Sequence, residues 1–151
     1  MVYENVIYTQ KTLSQRYGIS IAALQQWFPY AGIVKPKKRG GYFDAATVEV
    51  ADIFYVAIRI RRLTFEEYLE QVIPAGGLDA YLRLVNKMTL YDFLTLRVRH
   101  FAYAGEPVHR KCLTKHISEA EQNNPIVQTV IRRLERNEAY QSASTTATSF
   151  T

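Results

Sequence analysis

Residues Lys35 to Asp44 read "KPKKRGGYFD", with Lys35, Lys37, Lys38 and Arg39 set around the pair Gly40 and Gly41. Lys37, Lys38 and Arg39 can each neutralise a phosphate charge and release its counterions. The two glycines allow a turn to approach a sugar–phosphate backbone closely, where a side chain would hold it off. Upstream stand Gln25 and Gln26. A glutamine amide can bond the N6 and N7 edge of an adenine in a bidentate way. Each group also has an ordinary use, since most basic loops and most glutamines simply face water. Placement favours the polyanion. Up to Arg62 there are nine Lys/Arg and four Asp/Glu, whereas from Leu63 onward there are ten of each, so the first part carries the whole net charge of +5. Such asymmetry separates a half that meets a polyanion from a half with another task.

The elements that must position these groups follow from periodicity and caps. "TQKTLSQRY", from Thr9 to Tyr17, predicts a short helix capped by Thr9 and ended by Gly18. Ser20 caps a second helix in which Ile21, Leu24 and Trp27 recur at helical spacing, and Pro29 is expected to end it. Two helices joined by a short glycine-bearing turn make the helix-turn-helix pattern. Ile33 and Val34 before the basic stretch, with Tyr42 and Phe43 after it, predict two small strands of a hairpin. Asp44 then caps a long helix to about Arg62, and Thr64 with Glu67 fits a capping box for the next. Pro74 to Gly77 marks a boundary, giving a winged helix-turn-helix domain over 1–73 and a second region over 78–151.

In that second region Leu78, Tyr81, Leu82, Val85 and Met88 share one helical face. Leu94, Leu96 and Val98 alternate with Thr95, Arg97 and Arg99, which predicts a strand, although Leu90, Leu94, Val98 and Phe101 also suit a helix. Pro107 starts a further helix, and Asn124 with Pro125 starts the last, with Val127, Val130, Ile131 and Leu134 as its stripe. The tail "QSASTTATSFT" has the composition of a disordered segment, and its threonines favour a strand if it pairs.

Other chemistry finds less support. His109, Cys112 and His116 could face one side of a helix, but a fourth metal ligand is missing, and Cys112 reads as a small core residue. Tyr81, Tyr91, Phe93, Phe101 and Tyr103 could line an effector pocket, although aromatic core packing explains them better. No serine–histidine–aspartate set, phosphate loop or paired-acid motif argues for an enzyme, and no cofactor is implied. No stretch approaches the apolar length of a membrane span, and "MVYENVIYTQ" is not the pattern of a secretory signal. Cys112 is the sole cysteine, which fits a reducing compartment, and the expected location is cytoplasmic and nucleoid-associated.

The pieces "YTQKTLSQRYGISIAALQQW", "AGIVKPKKRGGYFD" and "RRLTFEEYLEQV" together resemble the DNA-binding domain of MerR-type transcriptional regulators, over Tyr8 to about Val72. The matching features are the opening Tyr-Thr, the Gly18-Ile19-Ser20 turn, Gly32-Ile33-Val34 with Pro36, the Arg39-x-Gly41-Tyr42 wing and the Thr64-Phe65-Glu66-Glu67 cap. The resemblance implies a dimeric transcription factor whose C-terminal region dimerises or senses an effector. Departures are informative. Gln25, Gln26 and Trp27 stand where the family usually has Arg-Tyr-Tyr, with one extra residue before Gly32, and Arg62 stands where it usually has glycine. Trp27 is expected in the core. Arg59 and Arg62 could touch phosphate near the Thr64 helix start. Pro74 to Gly77 prevents the long antiparallel dimerisation helix of many members. The small size and second half are similar to the MerR-type regulators encoded beside CRISPR-associated transposons in cyanobacteria, which implies a repressor of a CRISPR effector gene.

The sequence thus predicts a mainly α protein with small β elements, a winged helix-turn-helix followed by an α+β dimerisation or effector region. Its expected function is that of a homodimeric repressor on a palindromic double-stranded DNA operator. The candidate contacts are Lys11 and Arg16 on the first helix, Ala22, Gln25 and Gln26 on the second, Lys37, Lys38, Arg39 and Tyr42 in the wing, and Arg59 and Arg62 beyond it. The alternatives are an excisionase-like architectural protein of a mobile element and a protein-interaction module without a DNA role.

Overall fold

The computed structural model describes residues 7–38, 40–101 and 117–148, with backbone alone for Phe101 and for 137–148. The chain is mostly helical and divides into two compact units, Met1–Lys87 and Met88–Thr151. In the first unit α1 (Gln10–Tyr17) and α2 (Ile21–Ala31) are followed by α3 (Ala45–Tyr55), which passes into a π-helical turn, Val56–Ile60. Next come α4 (Phe65–Glu67), a second π-helical turn (Tyr68–Val72), α5 (Ile73–Ala75) and α6 (Leu78–Val85). The second unit holds α7 (Leu90–Phe101), α8 (Glu119–Asn123) and α9 (Pro125–Thr148).

The caps read from the sequence form. Thr9, Ser20, Asp44 and Thr64 each accept a backbone N–H three residues on, and Gly18 ends α1 in the left-handed region at φ 66°. Trp27 is buried at the centre of an aromatic core, with ring centroids 5.2 Å from Tyr17 and 5.3 Å from Phe54. Phe54 in turn meets the Tyr68 ring edge-on at 4.7 Å. These pairs join α1, α2, α3 and the helical run after Thr64 into one core.

Several expectations need correction. Pro29 does not end α2 but lies inside it, and the helix runs to Ala31 with Gly32 as its left-handed cap. Burial of Phe28, Ala31 and Ile33 outweighs the one backbone bond that proline cannot make. The hairpin of Ile33-Val34 with Tyr42-Phe43 does not form. Instead Phe43 pairs with Tyr8 in an isolated antiparallel bridge. Pro36 has no N–H to give a ladder, and Val34 points into solvent at 83 % exposure, so little holds a strand there. The strand predicted around Leu94 to Tyr103 is helix α7 as far as Phe101, and Tyr103 lies outside the described residues. Leu90, Leu94 and Val98 are buried at a spacing of one helical turn, while Leu96 is exposed. Thr89 and Asp92 cap this helix reciprocally. The threonine-rich tail continues α9 to Thr148 rather than forming a strand, so the second unit holds no strand among its described residues.

The division between units falls after Lys87, beyond the Pro74–Gly77 corner. Helix α6 stays with the first unit because Leu78, Tyr81 and Leu82 are buried against the preceding helical turns. In the second unit α7 packs on α9, whose Val127, Val130, Ile131 and Leu134 are buried as the stripe requires. Arg97 holds Glu121 with two bonds, Nε to Oε2 at 2.8 Å and Nη2 to Oε1 at 3.0 Å. The helix predicted from Pro107, with Val108, Cys112 and its flanking histidines, lies largely outside the described residues.

Candidate nucleic-acid interface

The basic loop is held at both ends. At its start Ile33 N donates to Phe28 O at 2.9 Å, and at its end Phe43 N donates to Tyr8 O at 2.8 Å. The Phe28 and Phe43 rings meet at 5.8 Å, so the two anchors touch each other. Between them Lys35, Lys37 and Lys38 are exposed, as is Tyr42, and no acidic residue interrupts the run. Gly41 N donates to Lys38 O at 2.9 Å and closes a turn. The glycines have separate reasons. Gly40 sits at φ 75°, a conformation that side chains rarely adopt, with open space around its Cα. At Gly41 a Cβ would lie 2.6 Å from Pro36 Cβ and 2.9 Å from Lys38 O. Arg39, expected to be the third phosphate contact, lies outside the described residues.

The helices present a different mixture. Lys11 on α1 and Ala22 and Gln26 on α2 are exposed. Gln25 is half-buried, and its Nε2 donates to Gln10 Oε1 at 2.8 Å. Gln10 was not a candidate on sequence grounds, because nothing in local spacing couples it to α2. Arg16, proposed from sequence as a DNA contact, is engaged inside the protein. Its Nε and Nη2 donate to the two carboxylate oxygens of Asp52 at 2.9 and 2.8 Å, and Nη1 donates to the Tyr8 hydroxyl at 2.6 Å. Tyr17 adds a third donor to Asp52 at 2.8 Å. Burial opposes the charge on Arg16, but the hydrogen bond and charge of Asp52 prevail and push its pKa up. Burial, followed by the charge of Asp52, pushes the Tyr17 phenol above its ordinary range. This network fixes α1 against α3, and so fixes the helix pair relative to the rest of the unit. Asp52 breaks an apolar run in the sequence, a sign that a buried partner was needed.

Arg59 and Arg62 are exposed, and Arg62 adopts φ 62°, a left-handed conformation that residues other than glycine rarely adopt. Arg61 between them forks onto Asn86 Oδ1, with both bonds at 3.3 Å. The helix start beyond Arg62 is less open to an anion than its sequence suggests. Glu67 N donates to Thr64 Oγ1, while Thr64 N donates to the Glu67 carboxylate. Glu66 and Glu67 also place negative charge in its first turn.

Of the aromatic pocket candidates, Tyr81 is buried in the first unit, while Tyr91 is exposed and Phe93 half-buried in the second. His109, Cys112 and His116 lie outside the described residues, and among those described no three His, Cys, Asp or Glu side chains are grouped to hold a metal. No described helix is long and apolar enough to cross a membrane. Comparisons with family models, curated proteins and solved structures found no match to this chain.

Proposed function

We propose that the protein is a sequence-specific double-stranded DNA-binding regulator, a homodimeric repressor acting on a palindromic operator. The observation that carries this reading is the basic loop fastened at both ends. Lys35, Lys37 and Lys38 are held out in solvent on a short span whose ends are pinned by Phe28, Phe43 and Tyr8. A clamped cationic loop beside a capped helix pair with exposed polar residues suits a wing over phosphates and a helix in a major groove. Palindrome and dimer belong together, because one such domain reads only a few base pairs. Exposed Leu69, Ile73, Leu84 and Val85 in the first unit, and Tyr91 and Leu96 in the second, offer apolar surface for self-association.

The experiment is a salt titration of duplex-DNA affinity with the full chain and with Lys37, Lys38 and Arg39 replaced by alanine. Losing three phosphate contacts in each protomer of the dimer should weaken binding to every sequence alike and reduce the log–log salt slope by about five. Wild-type binding that does not depend on salt, or an unchanged slope in the variant, would remove the basis of the reading.

A further inference from the structure

Gln10 opens α1 and Gln25 lies in the second turn of α2, and their amides meet between the two helices. A primary amide carries two N–H donors and one carbonyl oxygen in a single plane. One Gln25 donor is taken by Gln10, while its second N–H and its Oε1 carry no bond among the described residues. Those two groups are what an adenine edge requires, since Oε1 can accept from N6–H while the N–H donates to N7. In this pairing Gln10 Oε1 accepts from the nitrogen side of Gln25, which leaves Oε1 and the second N–H of that amide for a base. Gln26, one residue on, is exposed and has no such tether.

We infer that Gln10 is a positioning residue for base recognition, tethering the Gln25 amide so that its remaining donor and acceptor read an adenine of an A·T pair in the major groove. The inference rests on the DNA-binding reading above. A free glutamine loses rotamer freedom when it binds. Here that freedom is restricted before DNA arrives, so more of the hydrogen-bond energy appears as discrimination between bases. A base without the matching edge leaves a half-buried amide short of partners, which sharpens the difference.

The test selects sites from a pool of randomised duplexes with the full chain, then repeats the selection with Gln25→Ala, Gln10→Ala and Gln10→Glu. Gln25→Ala should lose adenine preference at one position, by roughly five- to 150-fold for a bidentate contact. Gln10→Ala should lose most of the preference at that same position, leaving the other positions and the salt slope unchanged. Gln10→Glu retains an acceptor for Nε2, so it should keep the preference while weakening binding to all duplexes through its added charge. Replacing the selected adenine by 7-deazaadenine, which lacks N7, should erase the difference between wild type and Gln10→Ala. The inference is overturned if Gln10→Ala keeps wild-type adenine preference, alters a different position, or weakens all positions together as a merely structural change would. In each of those cases the DNA-binding reading stands. A wild-type chain with no salt-dependent duplex binding defeats both.

Discussion

Arg16 shows how far a residue's chemistry depends on its neighbours. By type and position it suits a phosphate, yet Asp52, with a side chain 1 % exposed, takes two of its bonds. Arg16→Ala would leave that carboxylate buried with its main partner gone, a loss of about 3–5 kcal/mol. Urea unfolding should show this as a large drop in midpoint, whereas Lys11→Ala on the exposed face should change stability by about 0.5 kcal/mol or less. If Arg16→Ala lowers DNA affinity without lowering stability, Arg16 is a DNA contact after all. Two buried phenols, Tyr17 of this network and Tyr68 of the aromatic core, set a response to alkali. Burial raises the Tyr17 and Tyr68 phenols above their ordinary value near 10. Past that pH the unfolded chain releases those protons while the folded chain keeps them, so the unfolded state binds fewer and stability falls as pH rises. Their contribution is complete below about pH 10. Phenolate absorbance followed against pH should show a late-ionising fraction that appears only with loss of helix. Complete ionisation in a chain that stays folded would contradict this.

Among the elements, caps were the most legible part of the sequence. Thr9, Ser20, Asp44 and Thr64 act over three residues, so their role is written locally. Strands were misread where the deciding partner is distant in sequence. Leu94, Leu96 and Val98 fit either period, and packing of α7 on α9 selects the helix by burying Leu90, Leu94 and Val98. Phe43 does extend, but its partner is Tyr8, which no hairpin rule could name. Similarly, the basic loop and its glycines were readable, whereas the Gln10 tether and the engagement of Arg16 depend on tertiary contacts. The loop makes its own prediction. Gly41→Ala would drive a methyl group against Pro36 and the Lys38 carbonyl, so the turn must open. Since the loop lies outside the core, stability should change by about 1 kcal/mol or less. Duplex affinity should fall while the salt slope stays near wild type, because every charge is retained. Wild-type affinity in this variant would show that the shape of the turn is immaterial.

At the scale of the whole molecule, the division after Lys87 fixes where the chain can be cut. A fragment ending at Gly77 loses Leu78, Tyr81 and Leu82, each 5 % exposed or less. At about 1.5–3 kcal/mol for each fully buried side chain, that is comparable to the whole stability of a small domain. A fragment of residues 1–87 retains them. It should unfold cooperatively in urea, and the fragment ending at Gly77 should not. Sedimentation should then find the full chain dimeric and the 1–87 fragment monomeric if the second unit joins the protomers. A dimeric 1–87 fragment would instead place the interface on the first unit, where Leu69, Ile73, Leu84 and Val85 are exposed.

The Tyr8–Phe43 bridge has a consequence for how this chain can vary. With Phe28 against Phe43 at its base, the basic loop leaves the core and returns to it at nearly one point. A loop closed in that way can be lengthened at small thermodynamic cost, about 0.6 kcal/mol for each doubling of its length. An insertion beside Gly40, where an added Cβ would meet nothing within 4 Å, therefore leaves both anchors of the loop in place. Reach and charge at the tip can drift between descendants of this sequence, or be redesigned, while the aromatic core beneath is left unchanged.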